Sequence, residues 1–233
     1  MKELPLEYTV IRRPRRKTAS ITVSADNRVT VVVPNHVTDE RVRAIIESKA
    51  KWIRKRIEHN LESKEAIKPK EFVTGEEFRY LGTVYRLCVE EGRPGVVTLT
   101  DGTFHVCAPS ELTCDSRSEY VKSQMVDWYK KRAFEDLRNR VRHYEAQLNV
   151  RAALIRVKSL KSRWGSCSSR GNLSFNWQIV MAPLSVVDYV VAHELCHLVH
   201  LNHSSAFWSL LESILPGYRQ SRQWLRKNGN MLW

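Results

Sequence analysis

No window of the chain approaches the roughly 18 consecutive apolar residues of a membrane-spanning helix, so no membrane span is expected. The five cysteines, Cys88, Cys107, Cys114, Cys167 and Cys196, include no CxxC pair and are odd in number, which argues against a disulfide framework or a zinc ribbon. Met1 runs straight into the charged "MKELPLEY" without an apolar leader, and with this thiol usage the expected setting is a reducing cytoplasm. No phosphate-gripping GxxxxGK[ST] occurs, and there is no internal repeat, heptad tract or low-complexity segment.

What is plentiful is positive charge. Lys and Arg number 38 against 25 Asp and Glu, a net +13. A field of that size favours polyanionic partners, nucleic acid or phosphorylated substrates, but it locates no site. With 233 residues, 42% of them hydrophobic, the chain can bury one sizeable core or two small ones.

The first part reads as strands and one helix. Ile21 and Val23 alternate with Val29, Val31 and Val33 across a four-residue turn, a hairpin signature that Pro34 ends. Thr38 can cap a helix from Asp39 to about Glu62, whose apolar face is Val42, Ile45, Ile46, Ile53 and Ile57 and whose other face is Lys and Arg. "ESKEAIKPKEFVTG" is looser, punctuated by Pro69 and Gly75, and reads as a connection between subdomains. "FRYLGTVYRLCVEE", "GVVTLT" and "GTFHVCAP" follow, short β-rich runs with Gly and Asp-Gly turns that predict an antiparallel meander.

The second part begins with a long helix. From about Arg117 to Gln147 there is no Pro or Gly, and Val121, Met125, Trp128, Leu137, Val141 and Tyr144 trace an apolar stripe. Two antiparallel strands are expected next, one holding Ile155 and Val157, the other Leu173, Phe175, Trp177 and Ile179. Pro183 suits a helix start, with Ser185 and Asp188 as a weak capping box, and this helix should run to about Leu201. Helices from Ser205 to Leu215 and from Tyr218 to Arg226 complete the chain.

The Pro183 helix carries the chemistry. "VVAHELCHLVHLNH", Val190 to His203, holds four of the eight histidines in an apolar run. His193 and His197 are four residues apart and project from one face, so two ring nitrogens can reach one ion. Glu194 stands beside the first of them, free to deprotonate a metal-bound water, which is the HExxH logic of zincins. Burying two imidazoles and a carboxylate among Val190, Val191, Leu195, Leu198 and Val199 would be costly without such a partner.

A third ligand is needed. His200 would lie about 10 Å along the axis from His193, whereas ligand nitrogens on one zinc are about 3.3 Å apart. His203 fits if the helix ends and Asn202 helps turn the chain back over the ion. The assignment is therefore His193, His197 and His203 as ligands of one Zn2+ per chain, with the fourth position left for water. Glu212 stays as a weaker candidate, Asp188 upstream is another, and Cys196 lies on another face of the helix.

"LKSRWGSCSSRGNLSFNW", "MAPLSVVDYVVAHELCHLVHLNHSSAFW" and "LPGYRQSRQWL" resemble the YgjP-like family of metal-dependent hydrolases, relatives of the SprT-like metalloproteases. The resemblance extends to "RRPRRKTASITVSADNRVTVVVP", "KAKWIRKRI" and "YLGTVYRLCV". It implies a zincin-like catalytic domain with His193, His197 and His203 on the metal and Glu194 as base. It also marks Arg163, Trp164, Gly165, Ser166 and Cys167 in a signature turn, and Asn202, Ser204, Phe207 and Trp208 around the last histidine. Tyr218 and Arg219 stand where the family carries Tyr and Arg, and either side chain can stabilise an oxyanion or hold a carboxylate or phosphate.

The expected fold is α+β: a β-rich α+β unit over 1–112 and a zincin-like metallohydrolase half over 113–233, with a long backing helix beside the HExxH helix. The two halves can share a continuous core. The expected function is a zinc hydrolase of metallopeptidase type, with a peptide paired along the strand of Phe175 and Trp177. Two alternatives stay open: a nucleoside triphosphate or other phosphoanhydride hydrolase, and a basic nucleic-acid-associated protein with a zinc site, in which "VIRRPRRK" and "KAKWIRKRI" contact phosphates and bases. Oligomeric state is not legible.

Overall fold

The computed structural model describes residues 7–24, 26–66, 69–160 and 162–233. Packing divides them after Pro69, into units 1–69 and 70–233. That point lies in the predicted connection, of which residues 67 and 68 fall outside the described residues, and not at the expected domain line between 112 and 113.

In the first unit β1 (Tyr8–Arg13), β2 (Ser20–Val23) and β3 (Val29–Pro34) form a sheet in the order β1-β3-β2, beside α1 (Asp39–Ala66). The predicted hairpin forms, with Ile21 opposite Val31 and Val23 opposite Val29. The valines of β3 that alternate inward meet Val42, Ile46 and Ile53 of α1 in a small core of their own. Thr38 caps α1, its hydroxyl accepting the Arg41 N–H at 3.3 Å. β1, which pairs in parallel with β3, lies in the stretch read only as a basic segment.

The second unit starts with a sheet ordered β4-β5-β7-β6, from β4 (Glu77–Tyr80), β5 (Thr83–Glu91), β6 (Thr98–Thr100) and β7 (Thr103–Ala108). It is not a meander, because β5 and β7 are parallel. Its inner face interlocks with α2 (Cys114–Leu148): the Phe104 ring lies 4.8 Å from Trp128 and 5.8 Å from Tyr129, centroid to centroid. One hydrophobic core therefore runs from Phe72 to Leu232. Thr113 caps the start of α2, and Asn149, left-handed at φ 50°, ends it.

A second small sheet has the order β8-β10-β9, from β8 (Leu154–Lys158), β9 (Gly165–Cys167) and β10 (Asn172–Asn176). The expected antiparallel pair is corrected here: β8 runs parallel to β10, and it is the Ser-Gly-rich segment itself, as β9, that folds antiparallel onto β10. β10 is paired on both sides, so it offers no backbone edge; the edges belong to β8 and β9. Trp177 and Ile179 do not extend the strand but form a 3-10 turn, with the Asn176 side chain accepting the Gln178 N–H.

α3 (Leu184–Cys196) is the HExxH helix, and α4 (Ser205–Ile214) and α5 (Tyr218–Asn228) follow it. Its start is fixed from outside. The turn between β4 and β5 places Leu81 and Gly82 at positive φ, where Gly is favoured. A Cβ on Gly82 would lie 2.8 Å from the Pro183 Cα, and Leu81 donates its N–H to the Val180 carbonyl at 2.6 Å. The expected capping box does not form: Pro183 is the N-cap without a side-chain bond. Asp188 is instead drawn to α2, where both its oxygens accept from Arg140, one of them at 2.6 Å. A bidentate guanidinium pair satisfies a buried carboxylate better than one helix-end N–H does. No described helix is long and apolar enough to cross a membrane.

The Arg140–Asp188 pair ties the backing helix to the HExxH helix. Asp188→Asn should therefore lower unfolding stability by roughly 2 kcal/mol, because Arg140 would keep its charge without its partner. Urea unfolding checks this, and an unchanged midpoint would show the pair to be inert.

Candidate metal centre

α3 ends earlier than its pattern suggests. The apolar sequence continues to Leu201, yet the helix stops at Cys196 with His197 as its C-cap. The His197 ring closes the turn, its Nδ1 lying 3.0 Å from the His200 carbonyl oxygen. A carbonyl only accepts, so Nδ1 carries the proton and Nε2 keeps its lone pair. The chain then reverses through an exposed turn containing Asn202 and re-enters a helix at α4, capped by the Ser204 hydroxyl on the Phe207 N–H.

This reversal brings His203 back to His193 and His197. One donor atom from each lies within 4.8 Å of the others. The Nε2 atoms of His193 and His203 are 3.0 Å apart, near the ~3.3 Å that separates two imidazole nitrogens on one tetrahedral zinc. Phe207, fully buried, forms the floor, with its ring centroid 5.0, 4.7 and 4.8 Å from those of His193, His197 and His203. Burial, then the charges of His197, His203 and Arg222, pull His193 down to about 3; the same kinds of cause lower His203. Neutral imidazoles facing each other nitrogen to nitrogen are what a cation between them requires. These three residues can hold a metal ion.

Glu194, next along α3 from His193, is buried against the small sheet. A Cβ on Gly165 would sit 2.6 Å from both the Cγ and an oxygen of Glu194, so only glycine lets β9 come this close. The Cys167 backbone N–H lies near its carboxylate and favours the charged form. Burial pushes Glu194 up to about 7, against the opposing pull of Arg163 and of that N–H.

The signature turn thus divides its roles. Arg163 sets charge near Glu194, Gly165 gives room, and Cys167 gives an N–H, while its own thiol is raised by burial and then by Glu194. Ser166 pairs with Ser174 across the hairpin. Trp164 packs toward Gly229, where a Cβ would lie 3.2 Å from its ring.

An aromatic stack flanks the histidines. Trp208 stacks on His203 and on Tyr218, Tyr218 stacks on Tyr189, and Tyr189 lies against His193. Tyr218 is nearly fully buried in this stack. Arg219 points elsewhere: it pairs with Glu212 at 3.2 Å and lies over the Tyr218 ring. Glu212 and Asp188, considered as ligands, are both engaged by arginines outside the histidine group. His200 contributes its carbonyl to His197, and Cys196 is buried with its thiol pushed up to about 12.

Sequence reasoning missed Arg222. It lies 4.6 Å over the Trp208 ring, and its charge acts on His193 and His203. The signal was present, since Arg222 is four residues after Tyr218 and so shares its helix face, whereas Arg219 is adjacent in sequence and does not.

Residues 17–228 match the family model described as YgjP-like, metallopeptidase domain. No curated protein matches the chain. Among solved structures it is similar to the metallopeptidase zymogen abylysin of Pyrococcus abyssi, at 22% identity and TM-score 0.36 over 39% of this chain and 93% of that one. It is likewise similar to the zymogen jannalysin of Methanocaldococcus jannaschii, at 22% identity and TM-score 0.34 over 39% and 91%.

His203→Ala should lose one equivalent of bound metal relative to the unaltered chain, while His200→Ala and Glu212→Ala should lose none. Elemental analysis after dialysis decides it. Full retention in His203→Ala, or loss in Glu212→Ala, would replace the third ligand.

Proposed function

This chain belongs to the YgjP-like family, whose metallopeptidase-domain model covers most of its length and makes it a metal-dependent hydrolase, and we propose that it is a zinc-dependent peptidase. In this reading His193, His197 and His203 hold one zinc per chain and Glu194 moves the proton. The observation that carries it is the convergence of three imidazoles beside a glutamate buried one residue along the same helix.

When bound, the ion supplies Lewis acidity, making a water nucleophilic near neutral pH and polarising the carbonyl it attacks. The protein does the rest. His197 is fixed in its tautomer by the His200 carbonyl, so its lone pair is already directed away from that bond. Glu194 takes the proton from the attacking water and returns it to the leaving amine. Gly165 and the Cys167 N–H hold that carboxylate in one place, and Arg163 keeps its charged form accessible.

A peptide is the substrate class that the architecture favours. β9 is an edge strand, and its Gly165 lies against Glu194, so a chain paired in extended form along β9 would lie beside the base. Tyr218, anchored by stacking between Tyr189 and Trp208, is the proposed oxyanion donor. Arg222 supplies positive charge next to His193 and His203, the part of substrate binding first assigned to Arg219. Trp164, Ser166 and Asn202 serve as support. All these residues lie in the half from residue 113 onward, the proposed catalytic domain. All five cysteines are free, which supports a reducing, cytoplasmic setting.

Glu194→Gln should retain metal yet reduce cleavage of an unfolded protein by about a hundredfold to ten-thousandfold, the usual contribution of a general base. If that variant instead abolishes phosphate release from nucleoside triphosphates and the protein cleaves no polypeptide, the substrate class is wrong. Gly165→Ala should act like a weaker Glu194 variant, keeping metal while losing at least about tenfold in kcat, because the new methyl group displaces the carboxylate. Unchanged turnover in Gly165→Ala would mean that the position of Glu194 is not critical.

A further inference from the structure

A second group of metal-ligating side chains lies on the sheet that begins the second unit. β5 and β7 run in parallel with Leu87 opposite Phe104 and Val89 opposite Val106 on the core face. Because side chains alternate, the other face carries Cys88 opposite His105 and Glu90 opposite Cys107. None of these four residues takes part in the chemistry proposed above.

Three of them converge. Glu90 Oε1 is 3.7 Å from the Cys88 sulfur and 3.7 Å from His105 Nδ1, and all three donor atoms lie within 4.8 Å of one another. Donor atoms of one tetrahedral zinc with thiolate, imidazole and carboxylate ligands stand about 3.5 Å apart, so small side-chain rotations close the set. The backbone would not need to move, since Cys88 and His105 are neighbours across one strand pair and Glu90 is the next residue on that face.

We propose that Cys88, Glu90 and His105 form a second metal site on the outer face of this sheet, taking a zinc-class divalent cation with solvent in the remaining position. A thiolate and an imidazole select against the hard ions magnesium and calcium and suit zinc or its neighbours in the first transition row. Binding displaces the Cys88 thiol proton and places a cation between a thiolate and a carboxylate that otherwise repel each other. It also clamps β5 to β7. Cys107, across the strand pair from Glu90, is the nearest further sulfur on the same face.

Cobalt(II) titrated into the reduced full-length protein distinguishes this site from the histidine cluster, which has no sulfur ligand. A thiolate-to-cobalt charge-transfer band should develop in the unaltered chain and in His193→Ala. It should be lost in Cys88→Ser, and in His105→Ala the apparent affinity should fall at least about tenfold. No such band in the folded protein would overturn the site, as would a band that survives Cys88→Ser and disappears in Cys167→Ser. Circular dichroism establishes that each variant is folded; should Cys88→Ser unfold, His105→Ala and Glu90→Gln carry the same test.

Discussion

The bond from the His197 ring to the His200 carbonyl acts on three levels at once. It ties the residue that caps the helix to the carbonyl of His200, in the turn beyond the helix end, and so holds that turn closed within an apolar run that favours continuation of the helix. It fixes which nitrogen of His197 is protonated. By stopping α3 at Cys196, it also frees Leu198 to Asn202 to reverse direction and return His203 to the face it shares with His193 and His197. A helix extended by one more turn would carry the later residues along its axis, away from the first histidine.

Glu194 depends on a different constraint, the approach of a backbone rather than of a side chain. A carboxylate buried in an apolar helix is costly unless hydrogen bonds or charges compensate it. Here β9 comes close enough to bring the Cys167 N–H near the carboxylate only because residue 165 has no Cβ. The two halves of the HExxH motif are therefore supported by separate elements. The histidines rest on Phe207 and α4, while the glutamate rests on the small sheet. The pair between Asp188 and Arg140 holds the helix that carries both against α2.

The legible parts of the fold were the local ones. Helix periodicity located α1 and α2, and the hairpin of β2 and β3 followed from alternation over a few residues. The histidine spacing gave the cluster, because His193 and His197 share a face on any helix. What could not be read was the parallel strand in each sheet. In all three, a strand is followed by an antiparallel hairpin whose last strand inserts between the other two, giving β1-β3-β2, β5-β7-β6 and β8-β10-β9. Parallel partners meet across an intervening strand, and such non-local pairing leaves no turn signal. β9 was hidden for a further reason: three residues of Gly, Ser and Cys have no strand pattern, and their place is set by Glu194 and Ser174.

That recurring order also sets which strands stand at the edges. Inserting the third strand between the first two pairs it on both sides and leaves the second strand of each set at an edge. In the small sheet this edge is β9, whose Gly165 lies against the Glu194 carboxylate, so an outer edge of the sheet and a buried carboxylate meet at the same three residues. Had β9 and β10 exchanged places, Gly165 would be paired on both sides and its strand would have no open edge beside the carboxylate. The unpatterned character of β9 and its usefulness thus have one cause: its residues are chosen for what approaches them rather than for what they bury.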